Sequence, residues 1–356
     1  MKILHLAAGN RWTGAAAPAF AEVEALRAAG IDAHYAYAGG YKLQAKLARH
    51  DFAHAIIDKA QNPISFLRTV DAIGRLVVNH QFAFLHAHLT YDHWLARFVA
   101  RRSRGVAIAR TFHSSRTLRS DPFTRSLVKR TDAIFVINEE LALARLLRDR
   151  SVVFTPPPLD VEQFTLDGDN VRSRYGIASD VPMFAAIGKL SKDRGFEAVL
   201  ETFARIRRTI ENSKLLIVGH GEHRPALEAL ARSLTISDAV IWAGYHEDDL
   251  ADHYRAADVF LFTAAGSDEG HRAVIEAMGC GVAPATYPIE GMPAILGALT
   301  ARHCARASTP ESLASISVAL LKEDRRRLRD EVNQRAQLFS YEKAARRLID
   351  AYATVL

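Results

Sequence analysis

Short apolar runs recur along the chain, and between them apolar residues return every three or four positions. The runs fall at residues 2–6, 31–38, 82–88, 106–111, 130–137, 152–154, 183–187, 215–218, 239–245, 259–262 and 282–286. Most are continuous rather than alternating, the pattern of parallel strands covered on both faces. The stretch 15–29 reads as a helix, with Phe20, Val23 and Leu26 on one face and Gly30 as its stop. Residues 41–80 read as helical with a break near Asn62-Pro63, and 91–102 as a further helix. Asn138 is placed to cap a helix starting at Glu139. Helices are also expected at 250–255, at 271–278 with Gly279 and Gly281 ending it, and in the amphipathic segment 341–356. Strand–helix alternation of this kind predicts an α/β fold.

The punctuation divides the chain. Pro156-Pro157-Pro158 is stiff and unsuited to a helix or a central strand, and residues 165–180 are polar. Together they predict a domain at 1–165, a second at 166–338 and a last helix at 339–356. A chain of 356 residues suits two domains of ordinary size.

Composition narrows the classes. The two cysteines, Cys280 and Cys304, exclude a disulfide scaffold or an all-cysteine zinc site and point to a reducing cytoplasm. The opening MKILHLAAGN has too short an apolar run for a signal peptide, and no run approaches the roughly 18 residues of a membrane span. The net charge of +6 is uneven: residues 1–165 hold 22 Lys and Arg against 14 Asp and Glu. The excess gathers at Arg97, Arg101, Arg102, Arg104, Arg110, Arg116, Arg119, Arg125, Lys129 and Arg130, and predicts an anionic partner surface on this half. No nucleic-acid-binding motif accompanies it, so no nucleic-acid partner is expected.

The candidate chemistry sits mainly in the second half. Asp268 lies in the loop after the run at 259–262, and Glu276 lies among Ile275, Ala277 and Met278 on the following helix. A carboxylate amid apolar neighbours is costly unless something binds it, and the vicinal hydroxyls of a ribose would. The loop 188–195 carries Lys189 and Arg194 after a strand, a spacing that lets two cations meet a diphosphate without a metal. Asp167-Gly168-Asp169 reads as a turn rather than a metal site. The opening loop, residues 7–14, lacks G-x-G-x-x-G. His86, His88, His93 and His113 gather near strand ends, with no carboxylate cluster to mark a metal site.

The stretch SDEGHRAVIEAMGCG resembles the donor-site signature of retaining GT-B glycosyltransferases of the glycosyl-transferases group 1 family, with Asp268 in its first acidic position. The loop GKLSKDRG is similar to the family's G-R-L-x-x-x-K-G, and LLIVGHGE, VIWAGY and PPPLDVEQF resemble further segments of it. The resemblance implies two facing Rossmann-like domains with a cleft between them and a C-terminal helix crossing back. It implies transfer of a sugar from a UDP- or GDP-linked donor to a glycan or lipid-linked acceptor in cell-envelope or lipopolysaccharide synthesis. By the same resemblance, Glu276 holds the ribose, Lys189 and Arg194 bind the diphosphate and stabilise the leaving group, and Asp268 contacts the donor sugar. Gly14, Gly219, Tyr245, Gly270, His271 and Arg272 complete the donor side. His113 lies beside the reacting sugar, and Arg11, His86, His88 and Arg116 are acceptor-side candidates. Neither a metal nor a cofactor is implied, and the expected place is the cytoplasm with peripheral contact to an anionic membrane. A sugar-nucleotide epimerase of the same fold and an inactive partner subunit are the alternatives.

Overall fold

The computed structural model describes the chain except residues 10–14, 41, 59, 61, 265–267 and 356 and the side chains of residues 42, 268 and 269. It forms two compact units, Met1–Pro158 with Tyr341–Leu356, and Leu159–Ser340.

The first unit is built on seven parallel strands: β1 Lys2–Ala7, β2 Asp32–Ala38, β3 Ala53–Ile57, β4 Phe84–Ala87, β5 Ala107–Phe112, β6 Ala133–Val136 and β7 Val152–Phe154. Their order is β3-β2-β1-β4-β5-β6-β7, so the winding reverses between β1 and β4. Alternate residues face opposite sides. Ile3, Tyr35, Phe84, Ala109 and Phe135 pack with Phe20, Val23 and Leu26 of the helix Ala16–Ala28 and with Leu348 and Tyr352 of the helix Tyr341–Ala353. Leu4, Leu6 and Leu85 pack on the other face with Val70, Ile73 and Val77 of the helix Pro63–His80.

Two local expectations are corrected here. Residues 41–80 are not helical throughout: β3 interrupts them, preceded by the short helix Lys42–Leu47. β3 is a half-exposed edge strand reading AHAII, too short and too rich in alanine to announce itself by pattern. Arg110 is no part of a basic surface. It lies on β5 with 1% of its area exposed, in the field of the buried Asp92. Asn62 does mark a break, accepting from the Ser65 amide at 2.9 Å to cap the helix Pro63–His80. Asn138 caps the next short helix, Glu139–Ala142, in the same way.

The second unit holds five parallel strands: β8 Met183–Ile187, β9 Lys214–Val218, β10 Val240–Gly244, β11 Val259–Phe262 and β12 Ala283–Thr286. Their order is β10-β9-β8-β11-β12, with the reversal between β8 and β11. The segment leading to β8 is held by the pairs of Arg174 with Asp249 and Tyr175 with His253 and, through the most bonds, by Arg172. Its guanidinium donates to the carbonyls of Ala256, Ala178, Ser179 and Val181 and to Asp258 Oδ2 at 2.8 Å. Asp258 also accepts from the Met183 amide, which fixes the start of β8. Without Arg172, Asp258 keeps Arg325 at 2.9 Å, but the carbonyls of Ala178, Ser179, Val181 and Ala256 lose their donor, and a buried ion pair is broken from one side. Arg172→Met is therefore expected to destabilise the second unit by about 3–5 kcal/mol in urea unfolding. A variant as stable as the wild type would show that these bonds do not hold the segment.

Candidate donor-binding site

Ligands of open parallel sheets bind beyond the carboxyl ends of the strands, at the point where strand order reverses. In the second unit the loop 188–195 leaves β8 and the Asp268 segment leaves β11, the two strands flanking that point. The two loops are joined by one side-chain-to-backbone hydrogen bond. Thr263 Oγ1 donates to the Gly195 carbonyl at 2.7 Å, and a Cβ on Gly195 would fall 2.7 Å from that hydroxyl. Beyond β9, Gly219 (φ +147°) lies against Gly188, where a Cβ would meet the Gly188 carbonyl oxygen at 1.8 Å. The Gly219 amide donates to Gly244 at the end of β10, and the Gly188 amide donates to Val218. The ends of β8, β9 and β10 are thus stitched backbone to backbone, and the Thr263 hydroxyl adds the end of β11.

The side chains follow. Lys189 is part-exposed, 3.6 Å from the exposed Glu222 carboxylate, a weak pair in water. Arg194 stands in the turn Lys192–Arg194, just before Gly195 and the helix Phe196–Thr209. Glu276 is 5% exposed on the helix Asp268–Gly279. Its Oε1 accepts from Arg272 Nε at 2.6 Å, and its Oε2 accepts from the Tyr254 hydroxyl at 3.0 Å. This network, invisible in the motif itself, fixes the carboxylate and offsets its burial. His271 is buried, its Nε2 donating to the Glu290 carbonyl, so its side chain anchors the helix to the loop after β12. Tyr245 is exposed, its ring edge-on to His220 and its hydroxyl donating to Glu247. Burial, with Glu247 adding to it, pushes the Tyr245 hydroxyl up to about 12, so it remains a neutral donor. Gly270 belongs to the same helix. Arg11, Gly14 and the side chain of Asp268 lie outside the described residues.

The other site candidates lie in the first unit. His5 pairs with His86 in the β1–β4 register; His88 lies two residues beyond His86, and His113 four residues beyond Ala109, the β5 partner of His86, on the same face. His86 is buried, with Nδ1 on the Tyr352 hydroxyl at 2.6 Å and Nε2 on the Thr111 hydroxyl at 2.7 Å. His88 is equally buried and shares hydrogen bonds with His113 Nε2 at 3.1 Å and His5 Nδ1 at 3.0 Å. Burial holds His5 down at about 3 and drives His86 and His88 well below the usual imidazole range, so all three are neutral. Both His86 and His88 thus have their ring nitrogens engaged by neighbours inside the unit. Arg116 is exposed in the turn Ser115–Thr117. His93 belongs to a separate contact, with Thr131 at 2.8 Å.

The family model described as "Glycosyl transferases group 1" matches residues 167–339, nearly all of the second unit. The second unit belongs to the glycosyl transferases group 1 family. The whole chain is 23% identical over 309 residues to an N-acetyl-alpha-D-glucosaminyl L-malate synthase of Bacillus anthracis, covering 83% of this chain and 80% of that one. It is 31% identical over 137 residues to a GDP-mannose-dependent alpha-(1-6)-phosphatidylinositol monomannoside mannosyltransferase of Mycolicibacterium smegmatis, a match to 36% of either chain. The solved structure of Anabaena HepE in complex with UDP superposes with a TM-score of 0.81 at 14% identity, over 99% of this chain and 100% of that one. The α/β fold is thus that of GT-B glycosyltransferases.

The backbone stitching of the glycosyltransferase unit generates a paired test. Gly219→Ala forces a methyl group into the Gly188 carbonyl and is expected to cost about 3 kcal/mol or more. Gly74→Ala, in the helix Pro63–His80 with open space around it, is expected to stabilise by about 0.5–1 kcal/mol. Thermal unfolding of both variants checks the contrast, and a harmless Gly219→Ala would contradict the close approach.

Proposed function

We propose that the chain is a retaining glycosyltransferase that moves a sugar from a UDP- or GDP-linked donor to a glycan or lipid-linked acceptor in cell-envelope glycan synthesis. The observation that carries this reading is the basic loop 188–195 tied through Gly195 to the strand leading into the Asp268–Glu276 segment, at the reversal of the five-stranded sheet. Family membership supports the reaction class. Names of relatives support both nucleotides: UDP is bound in the Anabaena structure, and GDP-mannose is the donor of the mycobacterial mannosyltransferase.

In this reading Glu276, held by Arg272 and Tyr254, accepts from the ribose hydroxyls. Lys189 and Arg194 take up the charge that develops on the diphosphate as the bond from the anomeric carbon to the phosphate oxygen breaks. The first-turn amides of the helix Asp268–Gly279 add their partial positive charge. Asp268 orients the donor sugar and His113 serves the reacting sugar, as the family resemblance assigns them. The acceptor oxygen attacks from the side the phosphate leaves, and the departing phosphate oxygen takes its proton. No protein nucleophile and no metal is part of this scheme.

Lys189→Ala and Arg194→Ala are each expected to lower kcat by about 10²–10³ with folding little changed. Near-normal turnover in both would remove the diphosphate assignment. The donor to use in that assay comes from a thermal-shift screen of nucleotide sugars, since a saturating donor raises the unfolding temperature through binding.

The acceptor side generates a second test. Arg101, Arg102, Arg116 and Arg119 are exposed, as are Ile64, Leu67 and Phe123 on the same unit. No described helix is long and apolar enough to cross a membrane. A cation near an anionic bilayer contributes about 1 kcal/mol, weakened by salt. Replacing the four arginines by Gln is expected to cut binding to anionic vesicles by roughly two to three orders of magnitude while nucleotide affinity stays intact. Co-sedimentation with anionic and neutral vesicles at low and high salt measures it. Equal binding to both kinds, or to neither, would assign a soluble acceptor.

A further inference from the structure

Buried side chains gather at the reversal of the first sheet. Beneath it three groups converge: His5 from β1, His88 just after β4, and Glu22 from the helix Ala16–Ala28 that covers this face. His5 Nδ1 and His88 Nε2 are 3.0 Å apart. Glu22 Oε2 is 3.7 Å from His5 Nδ1 and 3.8 Å from His88 Nε2. The circle through three atoms so spaced has a radius of about 2 Å, the distance at which zinc holds imidazole nitrogen and carboxylate oxygen.

The hydrogen bond between the two histidines does not account for the third member. Glu22 is 2% exposed, and its Oε2 has no hydrogen-bond partner. A buried, unpartnered carboxyl oxygen is costly, and the field of Arg347 offsets only part of that cost. We propose that His5, Glu22 and His88 form a binding site for one divalent transition-metal ion of the zinc type.

The donor set suits such an ion. Two neutral imidazoles and a carboxylate are the ligands of three-coordinate protein sites that keep a further position open. His86, whose ring lies 4.5 and 4.6 Å from the other two, is a neighbour and not a ligand, because Tyr352 and Thr111 already take its two nitrogens. Metal on His88 Nε2 leaves the proton on Nδ1, which then donates to His113 Nε2. The ion would thereby fix the tautomer and the ring orientation of His113, and tie β1 to its covering helix. It is a site of the first unit, separate from the diphosphate clamp, and its presence does not depend on the proposed reaction.

The test is metal content. Tag-free full-length protein is stripped with chelator, incubated with zinc, desalted and analysed by elemental mass spectrometry. The wild type is expected to retain one zinc per chain. Glu22→Gln, which keeps the shape and removes the ligand charge, and His5→Asn are each expected to retain less than a tenth of that. The second histidine cluster, His246 with Asp249 and His253, is controlled by His246→Asn, which is expected to keep the wild-type stoichiometry. Zinc is expected to raise the unfolding temperature of the wild type but not of Glu22→Gln, whose metal-free unfolding temperature matches that of the metal-free wild type. Zinc retained by Glu22→Gln at the wild-type level, or none retained by the wild type, overturns the proposal. If Glu22→Gln does not fold, His5→Asn decides by the same measurement.

Discussion

A parallel sheet must reverse its winding somewhere, and everything chemical in this protein sits where it does. At a reversal the flanking strands send their following loops to opposite faces, so a gap opens beyond the carboxyl ends. Here that happens twice, between β1 and β4 and between β8 and β11. At the second gap Gly219 lies too close to the Gly188 carbonyl, and Gly195 too close to Thr263, for either to carry a side chain. The first is filled by imidazoles and one carboxyl, buried under two helices. One topological rule yields a glycine-lined edge in one unit and a closed polar cluster in the other, and the difference is made by which residues follow the strands.

The same contrast governs what could be read from sequence. Strands buried on both faces announce themselves, so eleven of the twelve described were legible as apolar runs, and the spacing of Lys189, Arg194 and Glu276 already pointed to a nucleotide. What escaped depended on partners remote in the chain. Arg172 lies in a polar stretch that reads as a crossing, yet it gathers carbonyls from 178–181 and 256. Tyr254 is separated from Glu276 by a loop and a strand, and no local pattern links them. Arg110 was counted with a basic surface because charge alone does not say which way a strand residue faces. His5 and Glu22 belong to different elements with different periods, so their meeting is a product of packing.

The two units also differ in how their buried charges are compensated. In the second, Arg172 with Asp258 and Arg272 with Glu276 are ion pairs whose members satisfy each other. In the first, Asp92 accepts from the Ala8 and Leu89 amides, while burial still pushes its carboxyl up to about 7. Its nearest cation, Arg110, keeps Nε and Nη1 without hydrogen-bond partners. Such groups are held by the surrounding packing, which makes that packing a condition of their placement rather than a background to it.

The first unit is assembled from segments that the ribosome makes at very different times. The strands from β1 to β7 are complete at Pro158, but the helix that covers the histidine face, and the Tyr352 hydroxyl on His86, come only with Tyr341–Leu356. At ordinary elongation speeds that is a wait of roughly ten to forty seconds. Until then Ile3, Tyr35, Phe84 and Phe135 lack the Leu348 and Tyr352 side chains of their cluster. The second unit, continuous in the chain, has no such interval. The parts of the second unit are all present at Ser340, before the helix Tyr341–Ala353 that the first unit needs has been made.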